Sequence, residues 1–507
     1  MKKSVLIYLM ILAEGIICLG FLAGRAQAQD VGKMQELQRV IDTQQKQLEA
    51  QQNQLEAQQK QLEIQQKQHD AQRQLLQELQ TQMQSLAKDA ATSTDKDAEM
   101  SKDKAVLELP TEMTSEPKWV PPSKRAAISQ FGKHDQTGAA GSNSWIGDHS
   151  KRHKMPDIKT EIGIHGFAEL QIFHDTDGIN DNSWVPKEID VDGSPSQTKF
   201  SVNPSRLEIS SATPIKSGQL NTFFTLDMNG EKDKADVRLR MAWGEYINEN
   251  LGLAVLAGQA YTTMRDMKAV TETLDFAGPV GLWGLRQPML RVTKAVSDSL
   301  VAEVAIETPE NATYTDANRR ERWPDFEAAG TWYTNTKYIK HLRLAGLARD
   351  LRANNEIGGT DSELGWSVAG SGIFGLPFLG EKDNFKFNIH YGEGYGGQVN
   401  SGPTDAVFDT VNSELKTIGV FGSYGGLQHW WSDSWRSNLV YGFVYADNPG
   451  FSDGDLLDNT WYGAANIIWS PFEATTFGLE YLWGRRENKD GEDGTGNRFM
   501  FSSRFAF

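Results

Sequence analysis

Basic side chains recur on the polar side of alternating stretches in the C-terminal two thirds of the chain. In DVRLRMAW (236–243), Arg238 and Arg240 lie on one side, and Met241 and Trp243 belong to the opposite, apolar side. Successive side chains of a strand point to opposite faces. Guanidinium groups that surround water attract and orient anions. The same parity predicts nine basic residues around one polar interior: Arg206, Arg238, Arg240, Arg291, Arg343, Lys386, Arg486, Arg498 and Arg504.

A second interpretation of these arginines stays open. They share the polar face with acidic residues such as Glu208, Asp227 and Glu480. The basic groups then pair with the acids and solvate the interior without selecting a solute.

One long connection mixes acidic and apolar residues in a way that does not fit an external loop. The segment TMRDMKAVTETLDFAGPVGLWGL (263–285) is too apolar for free exposure to water. We expect it to fold inward and narrow a pore, where its acids face the arginines. The alternative is a loop that makes a subunit contact. Residues singled out in and beside it are Asp266, Glu272, Asp275, Phe276 and Arg286; the parity of Arg286 points to lipid, so we expect that residue at a strand rim or in the loop.

The elements that position these residues are short strands. Sixteen stretches of about ten residues alternate apolar with polar or glycine positions, from near residue 162 to the end of the chain. Short and long connections alternate between them, which is typical of an outer-membrane barrel. The pattern predicts an all-β transmembrane barrel of about 16 antiparallel strands over residues 161–507, with fourteen or eighteen strands as alternatives.

The chain ends on an amphipathic aromatic strand. In RFMFSSRFAF, Phe499, Phe501, Phe505 and Phe507 share one face. This ending resembles the assembly signal of outer-membrane barrels, with Phe505 and Phe507 as its last two aromatic residues. In a barrel, such residues contact lipid or form the interfacial girdles. The alternative is an edge strand of a soluble sandwich.

The N-terminal third has a different organisation. Residues 1–28 have the basic start, apolar run and A-x-A site of a secretory signal peptide. Residues 29–90 carry eight heptads whose core positions alternate leucine with glutamine, which predicts an α-helical coiled coil with a weak seam. Residues 91–160 are rich in polar residues, glycine and proline and predict a flexible linker. The alternatives are an uncleaved anchor for the first segment and a solitary helix or disordered tract for the second.

Composition excludes several functional classes. The single cysteine, Cys18, lies within the signal segment, so a disulfide-stapled extracellular module is excluded. The net charge of −16 argues against nucleic acid as a partner. The nine histidines are scattered, and no spacing matches a metal loop, a phosphate loop or a catalytic constellation. We therefore expect no enzyme activity, no cofactor and no metal.

Four stretches together resemble the DcaP-like outer-membrane porins: GFAELQIFHDTDG (166–178), SRLEI (205–209), LAGQAYTTM (256–264) and, most specifically, ETLDFAGPVGLWGLRQPMLR (272–291). The resemblance implies a trimeric barrel preceded by a periplasmic coiled coil, and passive passage of small anions, notably dicarboxylates. Residues that match in the last stretch are Asp275, Gly278, Pro279, Gly281, Arg286, Gln287 and Arg291. The glutamine-rich coil and Gln259-Ala260-Tyr261 depart from the pattern and leave the solute open.

The expected protein is therefore an outer-membrane porin of a Gram-negative cell, with its N-terminal helix in the periplasm. Its expected partners are two further subunits, outer-membrane lipid and small anionic solutes. The barrels would hold the weak coil together by effective concentration. The coil would reach peptidoglycan or periplasmic envelope proteins. A rival hypothesis makes the coil the working part of a structural or adhesive protein that the barrel anchors, and a barrel hydrolase ranks last.

Overall fold

The computed structural model describes residues 153–154, 159–177, 179, 181–230, 235–309, 314–315, 317–355 and 359–507. The predicted signal peptide, coiled coil and almost all of the predicted linker lie outside these residues. Within them, no helix is long and apolar enough to cross a membrane.

Sixteen strands of the described residues form one closed antiparallel barrel. The ring closes where β16 pairs with β1, with Phe167 opposite Ala506 and Asp175 opposite Arg498. The strands are β1, Glu161–Asp175; β2, Gln197–Ser201 and Arg206–Ile215; β3, Gly218–Asp227; β4, Arg238–Asn248; β5, Leu253–Tyr261; β6, Arg286–Ala295; β7, Leu300–Glu307; β8, Asp325–Tyr333; β9, Ile339–Asn355; β10, Gly359–Gly375; β11, Asn384–Glu393; β12, Gly419–Trp430; β13, Trp435–Asp447; β14, Leu457–Phe472; β15, Thr475–Asn488; and β16, Asp493–Ala506. The predicted barrel and its strand number are confirmed.

Short elements decorate the long-loop rim. Tyr314–Thr315, Ala406–Asp409 and Glu414–Thr417 form a small separate sheet, and Asn318–Arg319 pairs with the upper end of β9. Two single 3₁₀ turns, Pro186–Glu188 and Gly396–Gln398, lie in loops. The short strand His153–Lys154 pairs with the start of β1.

Alternating burial separates an apolar outside from a polar inside. On β16, Phe499 and Phe505 are 55% and 52% exposed, whereas Arg498 and Arg504 are buried. A bare sheet surface of exposed aromatic residues suits hydrocarbon, and the polar face suits water or inward-folded loops. The predicted division between an outer apolar face and an inner charged face therefore holds along this strand.

The prediction for Met241 and Trp243 was wrong. Both were placed on the outer face of β4, but they are 1% and 3% exposed inside the barrel. A bulge causes the difference: Thr225 pairs with Met241 and Leu226 with Leu239, so Arg240 is an extra residue. An extra residue in one strand inverts the faces of all residues beyond it. Trp243 consequently packs inside against Phe223, with ring centroids 5.3 Å apart.

Candidate functional site

The connection between β5 and β6, residues 262–285, folds into the barrel, and we call it the inner loop. Its side chains are almost completely buried, from Met264 at 1% to Val280 at 0% exposed. Lys386 of β11 donates a 3.0 Å hydrogen bond to the Val270 carbonyl, and Gln171 of β1 donates one of 2.9 Å to the Leu274 carbonyl. The loop is therefore bound to several strands of the inner wall.

Two acidic side chains of the inner loop attach it to the wall. Glu272 accepts two hydrogen bonds from the Arg436 guanidinium, at 2.8 and 2.7 Å, where both side chains are buried. Asp266 contacts His341 Nε2 and accepts from the Ser371 hydroxyl, both at 2.7 Å. These carboxylates touch the wall directly, so they do not face the arginines across an open gap as expected from the sequence.

The third acid, Asp275, organises a turn and joins two loops. It accepts hydrogen bonds from the backbone N–H groups of Ala277 and Gly278, at 3.2 and 2.9 Å. It also accepts from the Trp184 N–H at 2.9 Å; Trp184 lies in the connection between β1 and β2. Complete burial raises the pKa of Asp275 to about 6. Trp184 itself is fully buried, so two loops fold inward and meet at one carboxyl group.

Three glycines on the inner wall make room for the inner loop. A Cβ placed at Gly426 would lie 2.4 Å from Thr271 Cγ2, and one at Gly442 would lie 2.6 Å from the Val280 carbonyl oxygen. At Gly478 it would lie 2.6 Å from Leu274 Cδ1. Such distances are far below ordinary carbon contacts. The loop therefore lies directly on the backbone of β12, β13 and β15.

On its other side the inner loop borders a small cavity, which we call the chamber. Its volume is about 20 Å³, enough for roughly one water molecule. Four basic side chains line it, against two acidic ones. They are Arg265, Lys268, Arg291 and Arg343, with Asp266 and Glu303 as the acids; Tyr261, Thr262, Met267, Thr331 and Tyr333 complete the lining.

The chamber acids are already engaged. Glu303 pairs with both Arg343 and Arg291, and Asp266 is bound to His341 and Ser371. Among the described residues, no carboxylate lies within ion-pair distance of Arg265 or Lys268. The chamber therefore carries an excess of positive charge.

Among the described residues, the side chains of Arg265 and Lys268 contact a carbonyl group and aromatic rings. Arg265 donates one 2.8 Å hydrogen bond to the Trp283 carbonyl, while its Nε and Nη2 atoms are buried and find no hydrogen-bond acceptor in the described part of the chain. Its guanidinium lies 4.2 Å from the centre of the Tyr261 ring. The Lys268 ammonium lies 4.8 Å from the Tyr333 ring, and burial lowers the pKa of Lys268 to about 8. Buried N–H groups without acceptors favour an anion.

The predicted arginine wall divides into paired groups. Arg238 and Arg240 both contact Asp227 at 2.8 Å, and Arg206 lies 3.9 Å from Glu208. Pairing with Glu208 and Asp227 agrees with the second interpretation from the sequence. Glu480 instead accepts the backbone N–H groups of Leu274 and Asp275.

The remaining predicted residues have varied positions. Arg498 pairs with Asp175 and Arg504 with Glu169, each at 2.6 Å. Arg486 donates to the Lys187 carbonyl at 3.1 Å. Arg291, Arg343 and Lys386 border the chamber or the inner loop, as described above.

The tip of the inner loop reaches the arginine wall. The Phe276 ring lies 5.3 Å from the Arg240 guanidinium and 5.9 Å from that of Arg238. Gly278 has a φ of 76°, which favours glycine, and the Pro279 carbonyl accepts from Asn400. Arg286 is the first residue of β6, with its guanidinium 5.5 Å from the Tyr261 ring. Of the proposed assembly signal, Phe505 and Phe507 are 52% and 67% exposed.

Comparison with protein families decides the identity. A sequence model of the DcaP outer membrane protein family matches residues 158–507. The chain belongs to the DcaP outer membrane protein family. The resemblance seen in the sequence is thereby confirmed. The family is one of outer membrane proteins.

Solved structures share the fold. The outer membrane channel DcaP of Acinetobacter baumannii is 17% identical with a TM-score of 0.63, and the match covers 70% of this chain and 99% of that one. An anion-selective porin from Comamonas acidovorans is 8% identical with a TM-score of 0.47, covering 69% and 100%. Salmonella typhi OmpF in complex with daunomycin is 11% identical with a TM-score of 0.47, covering 70% and 100%. A comparison with curated proteins gave no match.

Sequence reasoning missed Arg265 and Lys268, the two basic side chains of the chamber that are most available to bind an anionic solute. Arg265 and Lys268 flank Asp266 in the stretch TMRDMK, which was read as a source of acids. The available signal was two cations three residues apart in a loop expected to enter the pore. A DcaP-family barrel with this loop presents them to the chamber because the acids bind the wall.

Proposed function

We propose that the chain forms a passive diffusion channel that prefers small anions such as dicarboxylates. The observation that carries the proposal is the chamber, into which the inner loop presents Arg265 and Lys268 without a carboxylate partner among the described residues. An excess of fixed positive charge in a low-dielectric constriction favours anions over cations.

The arrangement of cations around Tyr261 supports a solute with two anionic groups. Arg265 approaches this ring on the chamber side, whereas Arg240 and Arg286 lie 5.8 and 5.5 Å from it beside the arginine wall. Two separate cationic positions bind the two ends of a short dicarboxylate, and a monocarboxylate uses only one. The chamber has room for roughly one water molecule, so passage of a dicarboxylate requires its lining side chains to move apart.

The test is the reversal potential of the purified full chain in a planar bilayer under a KCl gradient. We expect an anion-selective potential that the double variant Arg265→Gln, Lys268→Gln moves most of the way toward zero. Succinate should reduce the chloride current of the unaltered channel more strongly than butyrate does.

The matched control is Arg485→Gln, since Arg485 lies on the outside of β15 and already contacts Glu487 and Asp493 at 3.1 Å. It should leave the reversal potential unchanged. An unaltered potential in the double variant would refute the role of the chamber. Absence of any ion-permeable pore would favour the rival hypothesis, in which the barrel is an anchor.

We also propose that three barrels associate and that residues 29–90 form a coiled coil in the periplasm. Support comes from the heptads, with Leu48, Leu55 and Leu62 in one phase, and from the family resemblance. Deletion of residues 30–90 should weaken the trimer in detergent, measured by its mass, without closing the pore. A deletion that closes the pore and leaves the trimer intact would contradict this proposal.

A further inference from the structure

Three arginines lie together on the outside of the barrel at the long-loop rim, and we call them the rim arginines: Arg320, Arg322 and Arg352. Residues 318–322 continue the β8 ladder beside β9, with Arg319 opposite Ala353 and the Arg320 N–H donating to the Arg352 carbonyl at 2.7 Å. The same register places Arg322 opposite Asp350, and the two form a 3.5 Å ion pair.

This register places two like charges opposite each other. Arg352 alternates with the buried residues Leu351 and Ala353, so it faces outward. Arg320 is its cross-strand neighbour and is exposed. Like charges directly opposite on a sheet are destabilising. Among the described residues, no carboxylate lies within ion-pair distance of either side chain.

Among the described residues, Asp350 is the acid that contacts the rim arginines. It is 18% exposed at its side chain, and it contacts Arg322, whose side chain is 53% exposed. Three cations against one anion leave a local excess of positive charge, in a chain whose formal charge is −16. Within the described residues this excess has no other carboxylate partner, since Glu321 accepts a hydrogen bond from the Tyr314 hydroxyl, and an anion from outside the chain would offset it.

An apolar groove begins directly below the rim arginines. Its volume is about 690 Å³, and it runs across the outer face of β6 to β10. Outward side chains that line it are Leu290, Val304, Ile306, Phe326, Trp366 and Val368. Leu290 and Ile306 also border a second depression of about 380 Å³, whose lining includes Arg322 and Trp323 as well as Glu307 and Glu321. The apolar surface therefore connects to the rim arginines through Arg322.

We propose that this outer face binds a phosphorylated, multiply acylated glycolipid of the outer leaflet. Acyl chains lie in the groove, and a phosphate group lies against Arg320, Arg322 and Arg352. Long loops of outer-membrane barrels face the exterior, so the rim arginines lie at the depth of the outer-leaflet head groups. Arginine binds phosphate through paired N–H donors, and Trp323, 60% exposed, suits the interface.

Other occupants fit less well. A free phosphate ion gains nothing from the groove. A second copy that presented the same patch would bring the rim arginines against each other, which like-charge repulsion opposes. A neutral lipid fills the groove but leaves Arg320 and Arg352 without an anion.

The experiment uses the full chain refolded without membrane lipid and measures lipid binding by native mass spectrometry. The probes are diphosphoryl lipid A and the same lipid with both phosphates removed. The diphosphoryl form should bind at least about tenfold more tightly. In the triple variant Arg320→Gln, Arg322→Gln, Arg352→Gln, binding should weaken about fivefold for each arginine removed.

Arg485→Gln is again the matched control, because this outward arginine is neutralised by two carboxylates; it should bind lipid as the unaltered chain does. Equal affinity for the two lipids would overturn the proposal, even if the triple variant failed to fold. Displacement of the lipid by millimolar inorganic phosphate alone would overturn the role of the groove. A triple variant that changed the oligomer mass but kept its lipid would identify a subunit contact instead.

Discussion

The two sides of the inner loop have opposite chemical roles. The side against β12, β13 and β15 is fixed by Glu272, by the backbone at Leu274 and by close contact with three glycines. The side toward the chamber presents Arg265 and Lys268. The loop contains more acids than bases, yet its free side is basic. The acidic side chains of the loop bind the barrel wall. The net charge of a pore loop therefore does not predict the charge of its pore-facing surface.

The largest effect is expected from removing the contact by which Glu272 attaches the inner loop to the barrel wall. Glu272→Gln leaves the Arg436 guanidinium buried without its carboxylate, which costs about 3–5 kcal/mol of unfolding free energy. We expect a large drop in the denaturant midpoint and unsteady conductance as the loop leaves the wall. A variant with unchanged midpoint and conductance would show that Glu272 does not hold the loop.

The control for that test is Glu414→Gln, because Glu414 and Lys416 form an exposed pair at 2.8 Å in the small rim sheet. Surface pairs contribute little to stability. We expect no measurable change in the midpoint.

A smaller effect should come from filling a glycine position beneath the loop. In Gly442→Val, the added side chain meets the Val280 carbonyl oxygen, and overpacking of this kind costs about 1–3 kcal/mol. The loop should shift toward the chamber and lower the single-channel conductance. Gly330→Val is the control, since a Cβ at Gly330 has no neighbour within 4 Å. Equal conductance in the two variants would count against close contact at Gly442.

The smallest effect concerns the chamber side and depends on pH. Burial lowers the pKa of Lys268 to about 8, so its ammonium is charged below that pH and neutral above it. Anion selectivity should fall as the pH rises from 7 to 9, measured by the reversal potential. Lys268→Met should be less selective and lack this step. A step of the same size in that variant would assign the titration to another group.

The sequence predicted the strands because alternation is a local property. Within each ten-residue stretch, apolar residues that face lipid alternate with polar residues that face the interior. The sixteen strands could therefore be predicted from this alternation. Parity failed beyond Arg240, at Met241 and Trp243, because a bulge adds one residue without a clear local signal. Trp184 was also missed: its loop reads as polar and acidic, but Asp275, distant in sequence, binds its N–H group.

The candidate site was harder to predict than the fold, since its charge depends on distant partners. Glu272 and Arg436 are 164 positions apart, and the pairing of Asp227 with both Arg238 and Arg240 depends on the register of β3 with β4. Alternation indicated the inward face of most strands, although not for Met241 and Trp243. It did not show which of the inward charges are neutralised there.

The pairing of β1 with β16 has a consequence for assembly. Gly166 and Phe507 exchange backbone hydrogen bonds at 3.2 and 2.9 Å, so the first and the last strand to be synthesised pair with each other. Until the fourteen residues of β16 have paired, the sheet has two edges whose backbone N–H and C=O groups cannot form hydrogen bonds in hydrocarbon. Closure of the barrel must therefore wait for β16, and a product truncated before this strand would keep two unpaired edges, which favour aggregation.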